Sequence, residues 1–353
     1  ADGESTTLFE SAARRAAEKS LWPRPGPVHI NIAFREPLLP SSDAPGIDWP
    51  PAAGEPPGRP DVRMRRSTAR DIADGFSGRK GVIVCGRDNY PASFAGRVTA
   101  LAGRLDCPVV ADPLSGLRWG DHDRSRVVTI GDLMPAGDMT ADWVLQFGAS
   151  PTSRNIQAWL ATQGDRLMLS GSFGGWPDPA HGSRRMVRSD PIQTVESLLE
   201  TASEPGPDGW MARWSELEGA LSELCNTSDT RPPEAELIRS LEDGLPAGAN
   251  LFVGNSMPVR SLDPFARGRK APVTAFGNRG ASGIDGCVST IAGLAACGGP
   301  TVGLLGDVAL YHDMNGLLAA RQTSATIIVI NNGGGAIFGL LPPHRRPEFE
   351  RLW

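Results

Sequence analysis

Thr301-Val302-Gly303-Leu304-Leu305, closed by Gly306-Asp307, and Thr326-Ile327-Ile328-Val329-Ile330, closed by Asn331-Asn332, are the two stretches that decide the fold. Each is a short apolar run with no polar alternation, the pattern of a strand buried on both faces in a parallel sheet. The polar pair ending each run then falls at the carboxyl end of its strand, where α/β proteins place ligands. Upstream the same pattern repeats: a helix from Glu234, then Asn250 to Gly254, Val273 to Phe276, and a helix through Ala296. Earlier still, Gly81 to Cys85, Val109 to Ala111, Arg126 to Ile130 and Trp143 to Phe147 alternate with helix-like stretches. Strands alternating with helices predict βα units and a parallel sheet, so the fold class is α/β, built from Rossmann-like parallel-sheet domains.

A chain of 353 residues exceeds the ~100 to 200 of one domain, which implies several units. The Pro-, Gly-, Ala- and Ser-rich stretch from Pro40 to Pro60 reads as a linker. Before it, the helical Glu10 to Lys19 and the strand-like Pro27 to Ile32 cannot bury a core, and read as the last piece of a further domain. Between Thr201 and Arg231 the chain turns polar and helical, with Trp210 and Trp214 at a spacing that suits packing. The expected division is therefore a remnant over 1–40, a linker over 41–70, a central Rossmann-like domain over 71–205, a connecting helical segment over 206–230 and a second α/β domain over 231–353. Both ends read as cut.

The formal net charge of -5 offers no global basic footprint for nucleic acid or an acidic membrane surface. No apolar run approaches the ~18 residues of a membrane-spanning helix, and the start of the chain has neither a basic region nor an apolar core of a signal peptide. The chain reads as cytoplasmic. Five scattered cysteines, Cys85, Cys107, Cys225, Cys287 and Cys297, have no CxxC spacing and read as buried or inert thiols. No GxGxxG turn follows the first strand of the central domain, which argues against a dinucleotide oxidoreductase.

The chemistry concentrates where the reading began. An Asp carboxylate and an Asn side-chain oxygen are hard donors, and with a main-chain carbonyl and two diphosphate oxygens they complete the octahedron magnesium demands. A Gly-Asp turn and an Asn-capped loop with no ligand would present the same residues.

From Gly306-Asp307 to Asn331-Asn332 the chain resembles the diphosphate and metal motif of thiamine-diphosphate-dependent enzymes. Three further strings narrow the likeness: Gly254-Asn255-Ser256-Met257-Pro258-Val259-Arg260, Asn278-Arg279-Gly280-Ala281-Ser282-Gly283-Ile284-Asp285-Gly286, and Tyr311-His312-Asp313-Met314-Asn315-Gly316-Leu317-Leu318. All are similar, in order and spacing, to the succinyl-enolpyruvyl-hydroxycyclohexene-carboxylate synthases of menaquinone biosynthesis. Pro27 to Leu38 resembles the exit of that family's pyrimidine-binding domain.

The resemblance makes 1–40 the end of a pyrimidine-binding domain and 231–353 a diphosphate-binding domain. It implies a transferase that decarboxylates 2-oxoglutarate on thiamine diphosphate and adds the succinyl carbanion equivalent to isochorismate, as a homodimer or homotetramer. Asp307, Asn332 and the carbonyl of Gly334 would hold magnesium, or manganese in its place. Ser256, Ile284, Gly306, Asp307 and Asn332 would meet the cofactor. Arg260, Arg279 and Arg154 would bind substrate, with Ile337, Phe338 and Leu341 as its apolar wall.

Substrates with several carboxylates suit arginine, whose planar fork binds carboxylate bidentately and stays charged. The family's catalytic glutamate belongs to the pyrimidine-binding domain of a neighbouring subunit, so no catalytic acid is assigned here and this stretch alone is expected to be inactive. Ala309 stands where the family often has a hydroxyl, and Asn331-Asn332-Gly333-Gly334-Gly335 lacks a commonly present acidic or third Asn residue. A different thiamine-diphosphate decarboxylase or acetohydroxyacid synthase relative would share Asp307 and Asn332 without needing both Arg260 and Arg279. A non-catalytic cofactor-binding remnant is the other alternative.

Overall fold

The computed structural model describes residues 3–23, 25–34, 36, 58–133, 139–171, 175–183, 185–202, 204–227 and 232–352. After an N-terminal helix, α1 (Gly3–Leu21), the described chain forms two parallel sheets with helices packed against them.

The first sheet contains β1 (Gly81–Cys85), β2 (Val109–Ala111), β3 (Val127–Val128), β4 (Trp143–Phe147), β5 (Leu167–Gly171) and β6 (Arg185–Arg188), in the order β3-β2-β1-β4-β5-β6. Every pairing is parallel, and this doubly wound order reverses between β1 and β4. Successive residues of β1 feed opposite faces, because strand side chains alternate. Ile83 and Cys85 enter one core with Leu145 and Phe147, whereas Val82 and Val84 enter the other with Val144 and Leu169. Helices α2 (Arg66–Phe76) and α3 (Phe94–Leu105) cover the first face. Helix α4 (Arg154–Gln163) covers the second face, α5 (Pro191–Thr201) joins the first, and α6 (Trp210–Thr227) returns to the second. Trp210 and Trp214 of α6 are buried edge to face, and the Trp210 indole N–H donates to the Gly81 carbonyl at 2.8 Å. Their spacing is thus used for packing against this sheet.

The second sheet follows α7 (Pro233–Gly244) and contains β7 (Ala249–Val253), β8 (Val273–Phe276), β9 (Thr301–Gly306) and β10 (Thr326–Ile330), all parallel, in the order β10-β9-β7-β8. Helix α8 (Met257–Phe265) connects β7 to β8, α9 (Cys287–Ala296) connects β8 to β9, and the short α10 (Asp307–His312) begins directly at the end of β9. The order reverses between β7 and β9.

The loop after β2 ties the two sheets together. Arg118, 1% exposed, donates to the carbonyls of Ala111 in the first unit and of Asp263 and Ala266 in the second, and pairs with the Asp263 carboxylate. Beside it the Trp119 indole donates to Glu242 at 2.8 Å, and Glu242 also accepts from the backbone N–H groups of Arg267 and Gly268. Gly268 has φ +78°, and a Cβ there would lie 1.9 Å from the Arg118 carbonyl oxygen, so the approach requires glycine.

Several elements differ from the sequence expectations. Pro27 to Ile32 pairs with no strand among the described residues: its apolar side chains alternate as in a strand, yet Val28, Ile30 and Ile32 are all exposed. An extended segment becomes a strand only where a neighbouring ladder accepts its N–H and C=O groups. The expected strand Arg126 to Ile130 shrinks to Val127–Val128 because Glu218 of α6 takes over, accepting from the N–H groups of Thr129 and Ile130 and from the Thr129 hydroxyl. Strands β5 and β6 were not anticipated. Strand β10 is only partly buried, and among the described residues it pairs with β9 alone. Cys85, Cys107 and Cys287 are buried, but Cys225 is intermediate and Cys297 exposed. Most of the expected linker, residues 41–57, lies outside the described residues.

Asp263→Ala leaves the Arg118 charge buried without its partner, which costs about 3–5 kcal/mol. A correspondingly lower midpoint in denaturant-induced unfolding is expected; an unchanged midpoint would mean the clamp contributes little.

Candidate functional site

In a parallel sheet all carboxyl ends share one edge. Along the second sheet this edge carries Asn331-Asn332 after β10, Gly306-Asp307 at β9, Asn255-Ser256 after β7, and Asn278-Arg279 after β8. Strands lie about 4.8 Å apart, so the four pairs span roughly 15 Å. The crevice between β7 and β9, where the strand order reverses, is the position at which such sheets bind ligands.

At the β9–β10 end, one Asp307 carboxylate oxygen accepts from the Gly334 N–H at 2.8 Å and the other from the Val308 N–H at 2.8 Å. Asn331 accepts from the Gly333 N–H at 3.0 Å, which shapes the loop that carries the exposed Asn332. Gly333, Gly334 and Gly335 all have positive φ, a run of left-handed residues for which glycine is the suitable choice. The loop is thereby folded over Asp307 with no side chain in the way. Among the described residues no cluster of three His, Cys, Asp or Glu side chains forms a metal site. A cation at Asp307 would rely on one carboxylate plus amide, main-chain and ligand oxygens, a donor set that fits magnesium.

The β7–β8 end is cationic. Ser256, at φ +71°, turns the chain from β7 into α8, with Pro258 in the first turn. A non-glycine residue in this region is held there by its surroundings, and such residues cluster at functional sites. Arg260, in the same first turn, donates to the Ser256 carbonyl at 2.8 Å. Arg279, half-buried, donates to the Asn255 side-chain oxygen at 2.8 Å.

The first sheet contributes Arg154, the first residue of α4, whose N-cap Ser153 accepts from the Ile156 N–H at 3.0 Å and donates to Asp132. An arginine in the first turn of α4 and another in that of α8 both oppose the helix dipole, which favours anions there. Burial, then the neighbouring Arg154, lowers the Arg260 pKa from the usual arginine value, with Asp132 opposing. Burial, then Arg260, lowers that of Arg279, with Asp112 opposing and Arg87 adding to the effect. Among the described residues none of Arg87, Arg154, Arg260 or Arg279 has a carboxylate within ion-pair distance. A group of cations of this kind suits anions with several charges.

Arg87, which follows β1, was not singled out in the sequence. It lines a cavity of about 700 Å³ bounded by Gly148 and Ser170 of the first sheet and by Phe276 and Gly277 of the second. An arginine two residues past a strand is a frequent surface feature, and only the convergence of the two sheets distinguishes this one. Asn255, likewise missed, stood inside a quoted motif.

Of the apolar candidates, Ile284 packs against the cluster of Phe252, Cys287, Val288 and Ile291, close to the Arg279 loop. Ile337 and Phe338 lie in the helical turn Ala336–Leu340 after the glycine run and Leu341 follows it, all partly exposed; the N–H of Phe338 donates to the Gly335 carbonyl at 2.9 Å. The candidates of the second sheet thus lie along one edge, Arg87 lines the cavity between the sheets, and Arg154, near enough to Arg260 to lower its pKa, lines a separate cavity of about 410 Å³ with Gln146, Gln157 and Pro177.

A doubly wound middle unit joined to a second parallel sheet with a Gly-Asp/Asn-Asn edge defines a class. The family model for the middle domain of thiamine pyrophosphate enzymes matches residues 59–253, more than half of the chain, and the chain belongs to this family. It is 38% identical to the 2-succinyl-5-enolpyruvyl-6-hydroxy-3-cyclohexene-1-carboxylate synthase of Dechloromonas aromatica (strain RCB), over 99% of this chain and 64% of that protein. The synthase of the same name from Geobacillus kaustophilus (strain HTA426) is 38% identical over 97% of this chain and 61% of that protein. That of Halobacterium salinarum (strain ATCC 29341 / DSM 671 / R1) is 37% identical over 93% and 60%. The chain therefore spans a little over three-fifths of the length of these relatives.

Ser153→Ala removes the α4 cap and its link to Asp132, and should cost about 1 kcal/mol. Thermal unfolding checks this; an unaltered midpoint would show that the cap does not hold the Arg154 end of the helix.

Proposed function

We propose that the full-length protein decarboxylates 2-oxoglutarate and joins the remaining four-carbon unit to isochorismate, giving 2-succinyl-5-enolpyruvyl-6-hydroxy-3-cyclohexene-1-carboxylate in menaquinone biosynthesis. The observation that carries this reading is the placement of Arg260 and Arg279, without carboxylate partners among the described residues, after β7 and β8 on the sheet edge that holds Asp307, with Arg154 near enough to Arg260 to lower its pKa. The names of the relatives support it.

Thiamine diphosphate, when bound, supplies the carbanion-stabilising chemistry, and the protein supplies orientation and charge. Asp307, the Asn332 side-chain oxygen and the Gly334 carbonyl would hold magnesium, which would neutralise charge on a diphosphate. Gly306, Ser256 and Ile284 form the remaining cofactor wall contributed by this chain. Arg260 and Arg279 bind substrate carboxylates, with Arg154 closing from the first sheet.

Crowded guanidinium groups repel one another, and an anion with two or more carboxylates relieves that repulsion, so its binding is favoured over that of a monoanion. Ile337, Phe338 and Leu341 form the apolar wall that excludes water from the reacting carbons. No acid of this chain is assigned the proton transfer, which the proposal gives to a glutamate of a neighbouring subunit; a homodimer or homotetramer follows. Among the described residues no helix is long and apolar enough to cross a membrane.

The direct test incubates the full-length protein with thiamine diphosphate, Mg2+ and 2-oxoglutarate, with and without isochorismate. Consumption of both into one succinylated ring product is expected; consumption of pyruvate in place of 2-oxoglutarate would overturn the substrate assignment. Separately, Asp307→Ala is expected to abolish magnesium-dependent cofactor binding in calorimetric titration, and an unchanged affinity would remove Asp307 from the metal site.

A further inference from the structure

Asn255 follows β7 immediately after Gly254 and is 3% exposed. Its side-chain amide makes three bonds. The NH2 group donates to the carbonyls of Asn278 at 2.9 Å and Gly283 at 2.6 Å, and the oxygen accepts from Arg279 at 2.8 Å. Its orientation is fixed by this set, since reversing the amide would set its oxygen against the two carbonyls and its NH2 against a guanidinium. The two carbonyls bracket Arg279 in sequence. Asn278 is held in turn by a 3.1 Å bond from its side chain to Thr290 of α9.

We propose that Asn255 is the positioning residue for Arg279, fixing its guanidinium among the other arginines so that it meets a substrate carboxylate. The proposal rests on the reading of Arg279 as a substrate-binding group. Two features of the side chain matter. It is neutral, so it anchors one of the five guanidinium N–H groups without cancelling the charge that attracts the anion. It also accepts and donates at once, so the same residue that holds the guanidinium holds the loop carrying it. A carboxylate here would satisfy Arg279 but present oxygen to two carbonyls and compete with the substrate. A serine or alanine would leave Arg279 to be pushed outward by the charge of Arg260.

The test compares Asn255→Ala, Arg279→Ala and the double variant in the full-length enzyme, measuring KM for 2-oxoglutarate and for isochorismate together with thiamine diphosphate affinity. Loss of a hydrogen bond to a charged group corresponds to about a ten- to hundredfold effect. Asn255→Ala should raise KM for one carboxylate substrate by that factor with cofactor affinity unchanged, and the double variant should be no worse than Arg279→Ala alone. Independent, multiplying effects in the double variant would overturn the proposal, as would a fall in cofactor affinity equal to the rise in KM.

A near-isosteric Asn255→Asp, which does not depend on filling a void, should raise the same KM; an unchanged KM in it overturns the proposal. If Arg279→Ala raises KM while Asn255→Ala does not, the positioning role alone falls. If Arg279→Ala leaves both KM values unchanged, the substrate role of Arg279 falls and the positioning role with it.

Discussion

A buried guanidinium holds this molecule to one geometry. Arg118 leaves the loop after β2, crosses to the second sheet and is satisfied there by Asp263 and the carbonyls of Asp263 and Ala266, while keeping its own Ala111. An arginine with so little contact to water is tolerable only when its donors and charge are met, so either sheet moving away would strand it. Trp119 bonding to Glu242 and the close passage of Gly268 repeat the constraint within a few residues. The result is that the ends of β1 and β4 are held facing the end of β8, and side chains from both sheets share one electrostatic environment.

That environment divides into two parts. Around Asp307, at the ends of β9 and β10, the polar groups are oxygen acceptors and backbone N–H groups, which the proposed function gives to a cation and a diphosphate. Around Arg279 the charged groups are mostly guanidinium groups, joined by the positive ends of α4 and α8. Asp112 and Asp132 offset part of this field without forming an ion pair with any of these arginines: Asp112 accepts from the N–H groups of Leu114 and Thr152, and Asp132 from the Ser153 hydroxyl. The same acids act on Asp263, whose carboxyl burial pushes up to about 7 with Arg118 opposing.

Much of this was legible in the residues, for reasons that differ from place to place. Uninterrupted apolar runs such as Gly81 to Cys85 and Thr301 to Leu305 announce strands covered on both sides, and the polar pairs after them announce the edge at which a ligand sits. Pro27 to Ile32 alternates as a strand does but meets no ladder partner among the described residues, since alternation reports what a segment can do and a ladder also needs a neighbour. Arg126 to Ile130 misled because a side chain from α6, some ninety residues later, replaced the partner strand. Arg260 and Arg279 were accessible as candidates through their motifs, and Arg154 only as one the resemblance implied. Arg87 and Asn255 were not, since one gains meaning only from the facing sheet and the other only from three bonds that no local pattern encodes.

The strand order β10-β9-β7-β8 has a consequence for how such a protein can change over evolutionary time. The oxygen donors proposed for the cation follow β9 and β10 and the arginines proposed for substrate carboxylates follow β7 and β8, with the reversal between β7 and β9 as the seam, while Ser256 and Ile284 on the arginine side would also meet the cofactor. Arg260 and Arg279 can therefore drift toward a different anion while Asp307 and Asn332 stay as they are. Duplicated genes of this architecture can diversify in what they accept while inheriting the same chemistry intact.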